Sequence, residues 1–205
     1  MLLYYCYPRG DVSPTARKLI KDFGTLPNLL DAPVQDIMSR GGVTENVAFI
    51  FSMMPELMKR YEQSKWKGRR KFKDSHSLAQ FVRPFFIGKS HECFMMLYFD
   101  NGFRLIEAEM LEEGTLDEVK TYPRKIIDRM LAKNTAYVVL AHNHPSGCTV
   151  ISEEDIELTE SVKKWAEPCG IYVLDHIIIA GTQSVSFSTK YRKFPGIRDS
   201  KWIEN

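Results

Sequence analysis

Two histidines and one aspartate are the residues of this chain best suited to chemistry. His142 and His144 lie two positions apart at the end of an apolar, β-branched run, residues 135–141. Side chains at positions i and i+2 of an extended chain point to the same face, so both imidazoles can bind one ion. Asp155 follows in the first turn of the next predicted helix. Two imidazoles and one carboxylate leave the fourth position of a tetrahedral zinc open, which is the pattern of catalytic zinc.

Each part of this pattern also has a purely structural interpretation. Two histidines at a strand end often bind nothing, and Ser152 with Asp155 three residues later forms an ordinary helix-capping box. Either part alone favours that interpretation. The full string, H-x-H followed after seven residues by S-x-x-D, restricts four residue types at three spacings. Together the parts predict a site for one zinc ion per chain.

The hydrophobic pattern predicts the elements that must position these residues. Asn101-Gly102 is a strong hairpin signal between the first two predicted strands. The predicted elements are strands at 93–99 and 103–109, a helix at 122–133, a strand at 135–141, a helix at 152–166 and strands at 171–180 and 185–187. The order ββαβαββ predicts an α/β (α+β) fold in which helices cover a mixed sheet.

A small helical domain is predicted before this sheet. Residues 12–63 carry apolar residues at a spacing of three to four, interrupted by glycine turns. We expect a helical domain at 1–64, a basic linker at 65–76, the metal-binding domain at 77–195 and a tail at 196–205. The linker could contact phosphates, although a solvated linker is the more ordinary explanation of its charge. Its cations are Lys65, Lys67, Arg69, Arg70, Lys71 and Lys73.

Composition limits the compartment and the partners. The 205 residues are 44% hydrophobic, enough for a packed core, and the net charge of +2 indicates no particular partner. The four cysteines form no C-x-x-C pair, so a cysteine-based zinc site is not expected, and their scattered use suits a reducing compartment. No stretch has the length and apolarity of a membrane span, and the apolar start lacks the basic region of a signal peptide. We therefore expect a cytoplasmic protein without a membrane partner.

The motif resembles the JAMM motif of JAB/MPN metalloproteases, and it resembles the bacterial RadC-type (UPF0758) proteins more closely. The strings that carry the resemblance lie between residues 91 and 187. They include His91-Glu92, Ala141-His142-Asn143-His144-Pro145-Ser146-Gly147, Asp155-Ile156-Glu157-Leu158-Thr159 and Leu174-Asp175-His176-Ile177-Ile178. The resemblance implies the MPN/JAB, cytidine-deaminase-like fold. It also implies zinc-dependent hydrolysis of an amide, peptide or isopeptide bond, with a peptide or protein substrate that the sequence does not identify.

The family pattern implies roles for individual residues. His142, His144 and Asp155 would be the zinc ligands. Glu92 would accept a proton from the zinc-bound water and hand it to the leaving amine. Ser152 would donate a hydrogen bond to the oxyanion. Only the resemblance selects Glu92, because other acids compete with it on composition, namely Glu107, Glu109, Glu112 and Glu113.

His176 and Asp175 enter a predicted buried strand. The resemblance makes them candidates for supporting the ligands or lining the pocket. A core histidine with satisfied hydrogen bonds is an equally good interpretation of His176.

Two departures from the family pattern affect the alternatives. The family usually has proline directly before the motif serine, where this chain has Ile151. The N-terminal part resembles a helix-hairpin-helix, which contacts phosphates through backbone N–H groups and a nearby cation. Such a hairpin usually has the pattern Gly-Ile-Gly followed by Lys-Ala. The stretch that begins at Gly41-Gly42 lacks the second glycine of this pattern and its lysine, and Glu45 stands where a cation would help. No DNA-binding residue is therefore assigned.

Two other functions stay open as alternatives to the hydrolase. One is a DNA-associated RadC-like protein, in keeping with the family's DNA-repair label, whose metal site is structural or vestigial. The other is a non-catalytic scaffold, although such proteins usually have a broken metal motif. A two-metal nuclease is disfavoured because it needs several carboxylates. Exposed strand edges would also allow an oligomer.

Overall fold

A computed structural model of the chain describes residues 2–7, 9–64, 71–111 and 123–190. The chain divides into two compact units, Met1–Lys65 and Trp66–Asn205. Within the described ranges, no helix combines the length and the apolarity needed to cross a membrane. Residues 65–70 of the expected linker and residues 191–205, which include the expected tail, lie outside the described residues. So do Glu112 and Glu113.

The first unit consists of helices that lie where the apolar spacing predicts them. They are α1 (Leu2–Cys6), α2 (Ser13–Phe23), α3 (Leu26–Leu30), α4 (Val34–Gly41) and α5 (Glu45–Ser64). Their buried residues recur at helical spacing and form one core, which includes Leu19, Phe23, Leu29, Ile37, Val47 and Phe51. The short α1 was not predicted.

Helix packing explains both glycines between α4 and α5. A Cβ atom at Gly41 would clash with the buried side chain of Leu19, so glycine permits this close approach of α4 to α2 without displacing that side chain. Gly42 adopts a left-handed φ of 65° and its N–H caps the carbonyl of Met38. The sequence Gly41-Gly42 is thus accounted for by the packing and termination of a helix.

The second unit contains a five-stranded sheet with the strand order β2-β1-β3-β4-β5. Its elements are α6 (Ser75–Val82), a 3₁₀ turn (Arg83–Phe86), β1 (Phe94–Phe99), β2 (Leu105–Met110), α7 (Pro123–Ala132), β3 (Tyr137–Asn143), α8 (Glu153–Ala166), a second 3₁₀ turn (Glu167–Cys169), β4 (Tyr172–Ala180), β5 (Gln183–Ser186) and α9 (Phe187–Lys190). Strands β3 and β4 pair in parallel and the other pairs are antiparallel. The predicted mixed sheet and α+β class are confirmed.

Most element ends differ from the predicted bounds by one or two residues. Helix α6 begins at Ser75, two residues before the expected start of the metal-binding domain, because Asp74 accepts the N–H of Ser77 and caps the helix there. The last strand ends at Ser186 instead of 187. Phe187 opens α9, where its buried ring stacks 4.7 Å from the ring of His176.

Helices cover both faces of the sheet. One face of β1 presents Phe94, Met96 and Tyr98 to α7 and α8, where they pack with Ile126, Met130, Leu158 and Val162. The other face presents Met95, Leu97 and Phe99 to a core that includes Leu78 and Val82 of α6. Each of these large side chains contributes about 1.5–3 kcal/mol when fully buried. The packed sheet therefore holds the residues at the ends of its strands in fixed positions.

A bulge in β4 decides which face His176 occupies. The β3–β4 register pairs Val138 with Val173 but Val139 with Asp175, so Leu174 is an extra residue. Because side chains alternate between faces, one extra residue turns every later side chain to the opposite face. His176 consequently pairs with Leu140 and shares a face with His142. Without the bulge it would face away.

Candidate metal centre

His142 and His144 lie at the end of β3, on the sheet face covered by α8. His142 is buried and stacks on the ring of Phe94, its partner across the β1–β3 pair. The backbone N–H of His144 donates to the carbonyl of Ile179 at 2.8 Å, which holds the residue against β4 just past the strand end. The chain then turns away at Gly147, whose φ is 75°. The strand end and the turn together present both imidazoles at one point.

Asp155 comes to the same point from the start of α8. Ser152 is the N-cap residue of this helix, and its Oγ accepts the N–H of Asp155 at 3.1 Å. In return, Oδ2 of Asp155 accepts the N–H of Ser152 at 2.9 Å. Buried Ile151 packs against Ile178 and Phe187 and fixes the entry to the helix. The capping box therefore aims the carboxylate while it starts the helix.

The three side chains match the geometry and chemistry of a zinc site. Their ligand atoms all lie within 4.8 Å of one another. The Nε2 atoms of His142 and His144 are 2.9 Å apart, and the Asp155 oxygens lie 3.1 Å and 3.6 Å from them. Ligands of a tetrahedral zinc stand about 3.4 Å apart, given metal–ligand distances of about 2.0–2.2 Å. Across the described part of the chain this is the group of His, Cys, Asp and Glu that could hold an ion.

A backbone carbonyl orients His144. Its Nδ1 lies 2.8 Å from the carbonyl oxygen of Cys148, which can only accept a hydrogen bond. Nδ1 therefore carries the proton, and Nε2 keeps its lone pair for a metal. The sequence did not assign this role, since it belongs to the backbone of the turn rather than to a side chain.

A chain of three hydrogen bonds orients His142. Its Nδ1 lies 2.8 Å from Nε2 of His176, and Nδ1 of His176 lies 2.6 Å from Oγ1 of Thr159. The Thr159 hydroxyl donates to the carbonyl of Asp155 at 2.6 Å. The chain thus runs from one candidate ligand to the backbone of another. We call it the His176–Thr159 relay.

Burial determines the proton positions in this relay. His176 is fully buried, and this burial is the main cause that lowers its pKa well below the ordinary 6.5. The ring is therefore neutral, with one donor and one acceptor nitrogen. The Thr159 hydroxyl donates its hydrogen bond to the backbone carbonyl of Asp155, so its oxygen accepts a hydrogen bond from Nδ1–H of His176. Nε2 of His176 then accepts a hydrogen bond from Nδ1–H of His142. His142 is then left with a free Nε2 lone pair beside Asp155.

The Asp155 carboxylate is ionised. Burial alone would raise its pKa, but the adjacent His142 and the hydrogen bonds of Ser152 outweigh burial and lower the pKa below its ordinary value. An ionised carboxylate is the form that binds a metal.

Glu92 is an exposed residue two positions before β1. Phe94 pairs with His142, so the antiparallel register extended by two residues sets Glu92 opposite His144 on the same face. Asn143 holds this segment: its Oδ1 accepts the N–H of Cys93 at 2.7 Å, and its Nδ2 donates to the carbonyl of His91 at 3.0 Å. No role for Asn143 was predicted, because its partners are about fifty residues away in the chain.

Two of the competing acids are engaged elsewhere. Glu107 pairs with Lys133 at 2.7 Å, and Glu109 pairs with Arg129 and accepts the Tyr98 hydroxyl. Both acids lie on β2, and their cationic partners belong to α7 or directly follow it. They tie a sheet edge to a helix, and the role of Glu92 still depends on the family resemblance.

Asp175 is a structural anchor in this geometry. Its carboxylate accepts the Ser186 hydroxyl at 2.7 Å, the Ser188 N–H at 3.0 Å and the N–H of His176 at 2.8 Å. Burial raises its pKa. These contacts tie β4 to β5 and α9, and the side chain meets none of the three candidate ligands among its described contacts.

Comparison with known proteins confirms the resemblance. Residues 72–193 match the family model described as "RadC-like JAB domain". A UPF0758 protein of Rhodobacter capsulatus is 30% identical over 187 residues, covering 91% of this chain and 87% of the relative. A UPF0758 protein of Ruegeria pomeroyi is 31% identical, covering 91% and 84%, and one of Cupriavidus taiwanensis is 32% identical, covering 89% and 80%. Since the family model spans more than half of the chain and these relatives align along most of it, the chain belongs to the RadC-like JAB domain (UPF0758) family.

Proposed function

We propose that the protein is a zinc-dependent metallohydrolase that cleaves an amide, peptide or isopeptide bond. One observation supports this above the others: the ligand atoms of His142, His144 and Asp155 lie within 4.8 Å of one another. Nδ1 of each imidazole, the nitrogen that does not face the candidate metal position, also forms a hydrogen bond, as is usual for metal-binding histidines. Three protein ligands leave a position for water or substrate, which separates a catalytic site from a closed structural one.

The chain's own residues divide the remaining work. When bound, zinc supplies a Lewis acid for the substrate carbonyl and lowers the pKa of a water to about 7. Glu92 takes the proton of the attacking water and passes it to the leaving amine. The Ser152 hydroxyl donates a hydrogen bond to the oxyanion. Its Oγ accepts from Asp155 in the capping box, so the proton stays available for donation.

The DNA-associated alternative is not favoured over this proposal. Gly41 and Gly42 have packing reasons within the first unit, and Glu45 begins α5 where a phosphate-binding hairpin would gain from a cation. A nuclease would need further carboxylates around two ions. Among the described residues, the group that includes the two histidines supplies one carboxylate, that of Asp155.

Metal analysis of the purified full chain tests the central claim. We expect about one zinc per wild-type chain after dialysis against zinc. His144→Ala should lose the zinc, because two remaining ligands do not hold it against a competing chelator. Wild-type protein that retains no zinc after this loading would contradict the proposal.

A second experiment separates metal binding from turnover. Glu92→Gln should retain zinc and lose hydrolysis of a mixture of internally quenched peptides. Glu107→Gln is the matched control, since it neutralises an acid of the same sheet that pairs with Lys133. It should keep both zinc and turnover, and equal losses in the two variants would remove Glu92 from the mechanism.

A further inference from the structure

A pocket of about 360 Å³ opens beside the candidate ligand His144. Its walls come from the 3₁₀ turn with Arg83, from Lys89, from the end of β3 and from the turn after β4 at Gly181 and Thr182. Because His144 belongs both to the pocket wall and to the candidate zinc site, a group bound in the pocket lies next to the bond that would be cut.

Arg83 brings a guanidinium group to the pocket wall. Its Nε is enclosed by the fold and has no acceptor among the described residues. Neither Arg83 nor Lys89 forms an ion pair within the described ranges, and no carboxylate residue lines the pocket. Among the described residues, the wall thus carries two positive charges without an ion-pair partner.

We propose that this pocket binds a carboxylate of the substrate, either an acidic side chain or a C-terminal carboxylate next to the cleaved bond. The planar guanidinium of arginine matches a carboxylate through two parallel N–H donors, and its two Nη groups can supply such a pair. In this proposal the Nη groups of Arg83 bind the carboxylate, and Lys89 adds attraction at the exposed rim. This assignment of a substrate class rests on the proposed hydrolase function.

Carboxylate binding can be measured without zinc or turnover. The zinc-free full chain is titrated with N-acetyl-aspartyl amide, N-acetylglycine and N-acetyl-asparaginyl amide, while NMR follows the Nε–H signal of Arg83. The first probe carries a side-chain carboxylate, the second a terminal carboxylate, and the third is a neutral isostere of the first. Removing zinc prevents a probe carboxylate from binding the metal instead.

We expect at least one carboxylate probe to bind about tenfold more tightly than the neutral probe, because hydrogen bonds between charged groups are the stronger ones. The tighter of the two identifies the source of the carboxylate. Arg83→Gln should abolish the preference, and Lys89→Gln should weaken it about threefold, as expected for a more exposed charge. Arg104→Gln, which removes an exposed cation outside the pocket, should change nothing.

Equal binding of all three probes overturns the proposal, as does an equal loss in the Arg83 and Arg104 variants. If Arg83→Gln does not fold, the wild-type titration still decides, because the Nε–H signal must shift with a carboxylate and stay unchanged with the neutral probe. A protein without zinc or hydrolysis would refute the proposed function and leave this titration interpretable.

Discussion

Replacing Thr159 by valine tests whether the His176–Thr159 relay sets zinc affinity. Valine keeps the shape of threonine and removes the hydroxyl, which accepts from His176 and donates to the carbonyl of Asp155. Both His176 and Thr159 are fully buried, so bulk water cannot replace the lost partner. The variant leaves Nδ1–H of His176 without an acceptor.

The size of the effect follows from the proton positions. An unsatisfied buried donor lowers the free energy of unfolding by about 1–3 kcal/mol. His176 can avoid this by moving its proton to Nε2, but Nδ1 of His142 then loses its acceptor. His142 would respond by placing its own proton on Nε2, the atom beside Asp155 that would bind zinc. We therefore expect zinc affinity to fall about 10–100-fold, the usual loss when the partner of a metal-binding histidine is removed.

Competition with a chromophoric chelator measures the zinc affinity, and urea unfolding of the zinc-free protein measures the stability. Thr135→Val is the matched control, because Oγ1 of Thr135 is buried and has no partner among the described residues. Removing that hydroxyl should leave zinc affinity unchanged and keep or raise the free energy of unfolding. If both valine variants bind zinc equally well, the relay does not orient His142 and the reasoning is refuted.

Three further predictions concern residues that support the candidate metal site. Unfolded chains protonate His176 near pH 6.5, whereas burial lowers its folded pKa, so the zinc-free protein should lose stability as pH falls below about 6.5. One proton taken up on unfolding lowers the free energy of unfolding by about 1.4 kcal/mol per pH unit. This pH dependence should be absent in His176→Gln, as urea unfolding measured between pH 5 and 8 would show. Deleting Leu174 removes the bulge that turns His176 towards His142, so zinc affinity should fall at least as far as in Thr159→Val, and an unchanged affinity would exclude the bulge from the site. Asn143→Ala frees the segment that carries Glu92 and should lower peptide hydrolysis about tenfold or more while zinc content stays at the wild-type level; loss of zinc would assign Asn143 to the ligands instead.

The parts of the fold that could be predicted from the sequence are those that depend on local patterns. The strand that contains His142 follows from a continuous apolar run, and the helix after Ser152 follows from helical apolar spacing and a capping box. The H-x-H and S-x-x-D strings are also close together in the sequence, so they could be predicted to form one candidate site. Such features need no knowledge of how distant segments pair.

The remaining features depend on long-range register. Nothing in the composition of β4 reveals that Leu174 is an extra residue, because the bulge exists only relative to Val138 and Val139 of β3. Its consequence is that His176 reaches the candidate site, which the sequence left open between a core residue and a support of the ligands. Thr159 had a local signal, since it lies four residues after Asp155 on the same side of α8. Without the position of His176, that signal could not be assigned a function.

Ser152 and Asp155 show why the structural and the functional interpretations of a motif need not compete. The capping box uses Oδ2 and the backbone N–H of Asp155, whereas Oδ1 lies 3.1 Å from Nε2 of His142. One carboxylate can therefore start the helix and bind an ion without changing its position. The hydrogen bonds of the cap help keep Asp155 ionised, so zinc binding at neutral pH need not displace a proton from it. A helix start of this kind orders a metal ligand before the metal arrives, and the entropy of fixing that side chain is already lost in folding.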